Sequence, residues 1–502
     1  MMRLVIAAAA VLAAQVGLSA VRLAGPFADG AVLQRGMKVP VWGWAEPGED
    51  VSVSFAGQTK SAKADETGAW RVDLDPLEAS CEGRDLMVGS VQSDNQTISN
   101  QTILHDILVG EVWFVSGQSN AELQLCGGPH GGDRNGHAVA QKTRLPLVRF
   151  CRAPRSVSET PQAMPKSPVQ WRKFLPENLL AMPNFSAMGA YYGIELYHAL
   201  QIPIGLVGVY WGGTCIDGWV PREGHATRPE LKDISDWKVS MTWDGKHPKS
   251  LWPHNRVQDQ PGVIWNAMVS PWCPYAIRGV IWYQGEANSR QPERYCSQMH
   301  ALYNGWSQKF ENPNMRLYYV QLAPWGKDTI AKIQVAQAQF EREQPNAAMA
   351  VINDIGNLTD IHPNEKGTVG LRLALHALKR DYGFTDIQDN SPTVKAWKVE
   401  GDTFVLSFDN AQWLYQYNPD FSLVTRFELA GADGVFKPAE ILNFKAGPKG
   451  KRPRGRIDGT EIRLRAEGVA APVRARYLHA APWLGNVYND ADLPLGAFEV
   501  GK

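Results

Sequence analysis

The alternation of apolar and polar positions divides the chain into three stretches. From residue 21 to about 105, apolar residues recur with period two. Residues 39–44 (VPVWGW) and 51–55 (VSVSF) read as strands, and Val72, Leu74 and residues 86–88 continue the pattern. Turn signals at Glu46-Pro47-Gly48 and at Asn95 interrupt these runs, so a small sandwich of antiparallel strands is expected. From about residue 106 the pattern changes to short, nearly continuous apolar runs at 107–116 (ILVGEVWFVS), 204–210, 279–283, 317–322 and 347–353. Helix-like segments lie among them at 188–200, 289–309 and 369–378. Buried strands alternating with helices predict an α/β unit on a parallel sheet. After about residue 385, alternating strands return at 404–408, 426–429 and 462–465. The expected organisation is β over 21–105, α/β over 106–384 and β-rich over 385–502.

Three segments fall outside this scheme. Residues 127–183 and 222–262 are rich in Gly and Pro and are expected as long loops, which in compact domains tend to be functional. Residues 1–20 combine Met1-Met2-Arg3, an apolar run from Leu4 and a small-residue end at Ser19-Ala20. This describes a signal peptide cut after Ala20, and hence an exported protein, periplasmic or secreted. No other stretch approaches the ~18 apolar residues of a spanning helix, so no membrane association is expected after cleavage.

Composition narrows the class. The 502 residues suit about three domains. Lys+Arg and Asp+Glu are 51 each, so the charges cancel and give no electrostatic footprint for nucleic acid or an anionic membrane. A hydrophobic content of 44% with 20% charged residues excludes a disordered chain. The 18 Trp suit a large core, with a minority available to stack on sugar rings. Six cysteines allow up to three disulfides in an exported chain. They show no CxxC pair or metal-ligand spacing with His, so no metal is expected.

Four polar segments sit at the ends of apolar strands or at a strand-to-helix junction. Gly117-Gln118-Ser119-Asn120 follows the first apolar run, where a serine beside the start of a helix has backbone N–H groups at hand. Trp211-Gly212-Gly213-Thr214 lets the backbone approach a ligand closely. Gln284, Glu286 and Asn288 follow the strand at 279–283; Asn288 offers a side-chain N–H, and Glu286 a carboxylate to order the site or meet a substrate hydroxyl. Asp360-Ile361-His362-Pro363 supplies a base with an acidic neighbour before a helix. Singly, each reads as a turn or a cap. Together, on one edge of a parallel sheet, they complete a nucleophile, an oxyanion hole, a base and an orienter.

With these segments the chain resembles the sialate O-acetylesterase family of the SGNH (GDSL-like) hydrolases. Gly117-Gln118-Ser119-Asn120, Trp211-Gly212-Gly213-Thr214, Trp282 to Asn288, and Ile361-His362-Pro363 with Lys366, Gly370 and Arg372 are similar to its four blocks. Residues 32–35 with Trp42 and Gly43, and residues 482–498, resemble its N- and C-terminal β-regions. The resemblance implies a flavodoxin-like three-layer α/β/α core with flanking β-sandwich domains. It also implies hydrolysis of acetyl esters on sugars without metal or organic cofactor. Carried over, Ser119 is the nucleophile and His362 the base. The Ser119 N–H, Gly212 or Gly213 and the Asn288 side chain form the oxyanion hole, with Gln118, Asn120, Gln284 and Glu286 in support.

The sequence departs from the family at two points. The acidic partner is usual three residues before the histidine, where Thr359 stands; Asp360 is two before, Asp354 is a rival, and a Ser–His dyad is a third arrangement. Ala121 replaces a common Met. Acetylated plant polysaccharide such as xylan, xyloglucan or pectin is the alternative substrate. A carbohydrate-binding protein with a weak site and a long-chain lipase are the readings from other classes.

Overall fold

The computed structural model describes residues 21–91, 98–181, 184–242, 256–326, 328–417, 425–445, 454–457, 459–479 and 483–502. The expected signal peptide lies outside the described residues. Among those described, no helix is long and apolar enough to cross a membrane.

The architecture is mixed α/β with several sheets. Its centre is a six-stranded parallel sheet: β1 (Ile98–Gly117), β2 (Leu145–Arg152), β3 (Ile204–Tyr210), β4 (Gly279–Tyr283), β5 (Arg316–Val320) and β6 (Ala347–Ala350), in the spatial order β2-β3-β1-β4-β5-β6. Strands β3 and β4 are fully buried, which explains their continuous apolar runs. Four helices cover the sheet: α1 (Ala187–Leu200), α2 (Pro292–Lys309), α3 (Asp328–Glu343) and α4 (Gly367–Asp381). Successive residues of β1 face opposite ways. Trp113 meets Tyr192 of α1 and Tyr318, whereas Phe114 meets Trp306 of α2 and Phe310. Helix α1 packs on α4 and α2 on α3, so both faces of the sheet are closed.

Strand β1 begins earlier than the apolar run suggested. Its first half pairs antiparallel with Ser80–Val91, and its second half is central in the parallel sheet. The expected change of character at residue 106 therefore falls inside one continuous strand. The N-terminal strands are antiparallel as expected: Val39–Trp44 with Ala69–Leu74, and Asp50–Phe55 with Gln58–Lys63 and Ser80–Val91. Val32–Gln34 adds a parallel pairing to β1. Apolar residues from Val21 to Leu378 form one contiguous core, and a second core spans Phe404 to Ala497.

The stretch 127–183 is not one loop. It contains helix Gly136–Lys142, strand β2 and helix Pro176–Ala181. Within 222–262 lie the short helices Arg222–Ala226 and Lys232–Ser235, and residues 243–255 are outside the description. The helix expected at 289–309 starts at Pro292, whose ring suits a first helical position. Helix α3 was not anticipated. The six cysteines are free thiols, so no disulfide staples the chain. The large tryptophans 113, 219, 265, 272, 282 and 306 are core residues rather than a stacking platform.

Candidate active site

Register brings the polar segments together. Gly117 is opposite Tyr210 of β3 on one side and Tyr283 of β4 on the other. The three strands thus end level, and Gln118-Ser119, Trp211-Gly212 and Gln284-Gly285 leave the sheet side by side. The chain turns to one side of β1 to build β2 and β3 and to the other for β4, the position where open α/β sheets bind ligands. Only glycine fits at 117: its φ is +131°, and a Cβ there would lie 2.1 Å from the Tyr283 carbonyl oxygen. Ser119 consequently opens the short helix Ser119–Glu122.

His362 reaches this edge from the loop between β6 and α4. Its Nε2 lies 2.8 Å from Ser119 Oγ, so the hydroxyl can donate to the ring. Asp360 accepts the His362 backbone N–H at 2.9 Å, while its carboxylate stays 3.6 Å from Nδ1 and is half exposed. The rival Asp354 is held elsewhere, gripped by Arg372 through two bonds of 2.7 and 2.8 Å. Burial, then the neighbouring His130, hold the His362 imidazole down to about 4, with Asp360 opposing them. The ring is therefore neutral, and able to take a proton, from just above that pH upward.

Behind the pair lies a buried polar relay. Asn120 Nδ2 donates to Glu286 at 2.6 Å and to the Ile361 carbonyl at 3.0 Å, and its Oδ1 accepts from Lys366 Nζ at 2.7 Å. Burial pushes the Glu286 carboxyl up and pulls the Lys366 ammonium down to about 7, each group's attraction for the other opposing this. Glu286 Oε2 is buried, and the other carboxylate oxygen accepts from Asn120, which in turn bonds the residue before His362. Gln118 Oε1 accepts the amides of Gly285 and Ala287, and Gln284 donates to the Thr214 carbonyl and to Asn288. Both are braces between strand ends. Asn288 Oδ1 is held by Gln284 and by the Ile216 N–H, which turns its Nδ2 the other way.

The cleft over Ser119 has a volume of about 870 Å³, and its lining includes His362, His130, Glu122, Arg152, Arg155 and Gly212. Sequence reasoning missed four of these. Glu122 Oε2 accepts the Gly212 N–H at 2.8 Å, so the expected oxyanion donor is engaged here by a carboxylate. Arg152 and Arg155 both bind the other oxygen of Glu122. Glu122 lies one turn after Ser119, a spacing that the sequence displayed; His130 carried no such signal. Away from the cleft, Cys296 and His300, one turn apart on α2, meet Glu343 of α3 with their ligand atoms within 4.8 Å of one another. This spacing, too, was overlooked. His300 and Glu343 already satisfy each other as a pair at 2.9 Å.

A family model described as carbohydrate esterase, sialic acid-specific acetylesterase, matches residues 109–379, more than half of the chain. The chain belongs to this family. The sialate O-acetylesterase of Homo sapiens is 29% identical over 387 residues, covering 70% of this chain and 69% of that protein. That of Rattus norvegicus is 29% identical over 414 residues, covering 72% and 73%. Among solved structures, a carbohydrate acetylesterase from Xanthomonas citri aligns with a TM-score of 0.80 at 30% identity, covering 96% of this chain and all of the other. The protein is thus a carbohydrate O-acetylesterase, a carboxylic ester hydrolase acting on acetylated carbohydrate.

Proposed function

We propose that this acetylesterase works by two-step acyl transfer through a Ser119–His362 dyad. The observation that carries the reading is the 2.8 Å approach of His362 Nε2 to Ser119 Oγ at the level strand ends. Ser119 Oγ bonds to the acetyl carbonyl carbon as His362 Nε2 takes its proton. The carbonyl π-electrons move onto oxygen, where the Ser119 N–H and Asn288 Nδ2 stabilise the charge. Collapse breaks the bond to the sugar oxygen, which leaves with the proton from His362. Water then adds to the acetyl-enzyme by the same route, releasing acetate and restoring Ser119. Gly212 joins the oxyanion hole only when Glu122 releases its N–H; Gly213 is the neighbouring donor.

Asp360 supports the base weakly. An exposed carboxylate at 3.6 Å is screened by water, unlike the buried orienter of a full triad. Asp360→Asn is expected to lower kcat less than about tenfold, where loss of a buried orienter costs about 10⁴. Steady-state rates on p-nitrophenyl acetate check this; a drop near 10³ would make Asp360 a full triad member.

For substrate, we propose an acetylated sugar bearing a carboxylate, as in a sialate. Arg152 and Arg155 set two guanidinium charges against the single carboxylate of Glu122, leaving excess positive charge in the cleft. Acetate release is compared between O-acetylated sialic acid and acetylated xylan, with Ser119→Ala as control. The sialic acid is expected to be the better substrate, and Arg155→Ala to raise its KM about tenfold relative to xylan. Release from xylan alone would move the enzyme to polysaccharide and keep the chemistry.

The same reading takes residues 106–384 as a flavodoxin-like SGNH core with two helical layers, flanked by β-sandwich regions at 21–105 and 385–502. The apolar segment after Arg3 supports export by a signal peptide ending at Ala20.

A further inference from the structure

His362 lacks the buried carboxylate that steadies a catalytic imidazole, yet its ring is not left without support. His130 lies flat against it, with ring centroids 3.8 Å apart and planes inclined by 24°. The loop that presents His130 is closed on itself: Cys126 and Gly132 form a bridge, and the Gly131 N–H bonds to the Gly128 carbonyl. Two further bonds tie its continuation to the segment carrying His362. The Arg134 N–H donates to the Asn364 carbonyl at 3.0 Å, and Asp133 Oδ2 accepts the Lys366 N–H at 2.8 Å. Asp133 is fixed in turn by the Tyr191 hydroxyl of α1 at 2.7 Å. The two imidazoles therefore ride on backbones that are stitched together.

We propose that His130 is a positioning residue for the general base, holding the face of the His362 ring where other hydrolases hold its edge with a buried carboxylate. The proposal rests on the reading of His362 as base. The groups facing that ring are Ser119 from the nucleophile turn, Asp360 from its own loop, Lys366 from the start of α4 and His130 from the cleft loop. Asp360 favours protonation, whereas Lys366 and His130 oppose it. An imidazole stacked at this distance does two separable things. Its flat surface limits rotation of the base away from Ser119, and its capacity for positive charge discourages a proton on His362 in acid.

The full chain is compared as wild type, His130→Ala, His130→Phe and His362→Ala, with kcat and KM for p-nitrophenyl acetate followed across pH. His130→Ala is expected to lose about tenfold in kcat with little change in KM, since only the placement of the base is disturbed. Its acid limb should also move up by about one pH unit, because the repelling neighbour is gone. His130→Phe restores a flat neutral ring, so kcat should return to within about twofold while the acid limb stays raised. Wild-type kcat and acid limb in His130→Ala, or a loss that Phe does not restore, overturns the proposal. An active His362→Ala would instead overturn the base assignment beneath it, so the two failures are distinguishable.

Discussion

Ser119→Ala is expected to lower the rate of acetyl-ester hydrolysis by about 10⁴-fold or more while leaving the unfolding midpoint unchanged. The magnitude follows from the proposed two-step route, because without Oγ no acetyl-enzyme forms and His362 has no serine proton to take. What remains is the stabilisation of an oxyanion during direct attack by water, which in serine hydrolases is the smaller share. Stability should not change because the hydroxyl's bond is to a partly exposed imidazole, and the substitution removes one oxygen from a cleft wall. The measurement pairs kcat/KM on p-nitrophenyl acetate with thermal unfolding of the same preparation. Retained turnover would place the nucleophile elsewhere, and a collapsed midpoint would show that Ser119 acts through the fold.

Asn120→Leu should have the largest effect on stability. This amide, itself buried, holds the half-buried Glu286 carboxyl, the buried Lys366 ammonium and the half-buried Ile361 carbonyl at once. Leucine is similar in size and offers none of these bonds. The variant would bury two ionisable groups without their bridge, a situation that typically costs about 3–5 kcal/mol. Release of Ile361 also loosens the residue next to His362, and misplacement of a base by about 1 Å can cost 10² in rate. Urea unfolding and kcat report the two losses separately. Near-wild-type stability would mean that water or a rearranged Lys366 takes over the role of Asn120.

The sheet edge was legible because strands buried on both faces leave continuous apolar runs, and polar residues at their ends stand out. Residues 204–210 and 279–283 matched β3 and β4 in full. Strand β2 was hidden because Pro146, Arg149 and Arg152 interrupt its run, although Val148, Phe150 and Cys151 are buried. Helix α3 was hidden because alanine and glutamine share its inner face with Ile330, Ile333 and Phe340; Gln334 and Gln337 are buried and bond to backbone. Within the site, Ser119 and His362 stood out by position and the structure brings them within 2.8 Å, whereas setting Asp354 aside required knowing where Arg372 lies. His130 sits among glycines with no periodicity, and only tertiary contact gives it a neighbour.

The twenty-residue strand β1 has a consequence for anyone wishing to shorten or transplant this enzyme. Its first half is a member of the N-terminal sheet, and its last residues carry the serine. A cut at the apparent boundary near residue 105 would sever a beam in mid-span, stripping Ser80 and Arg84 of their partners Val109 and Ile107 and leaving Ser119 on a shortened stub. The N-terminal sheet is less an appendage than a foundation, and the catalytic portion does not come away from it as a cassette.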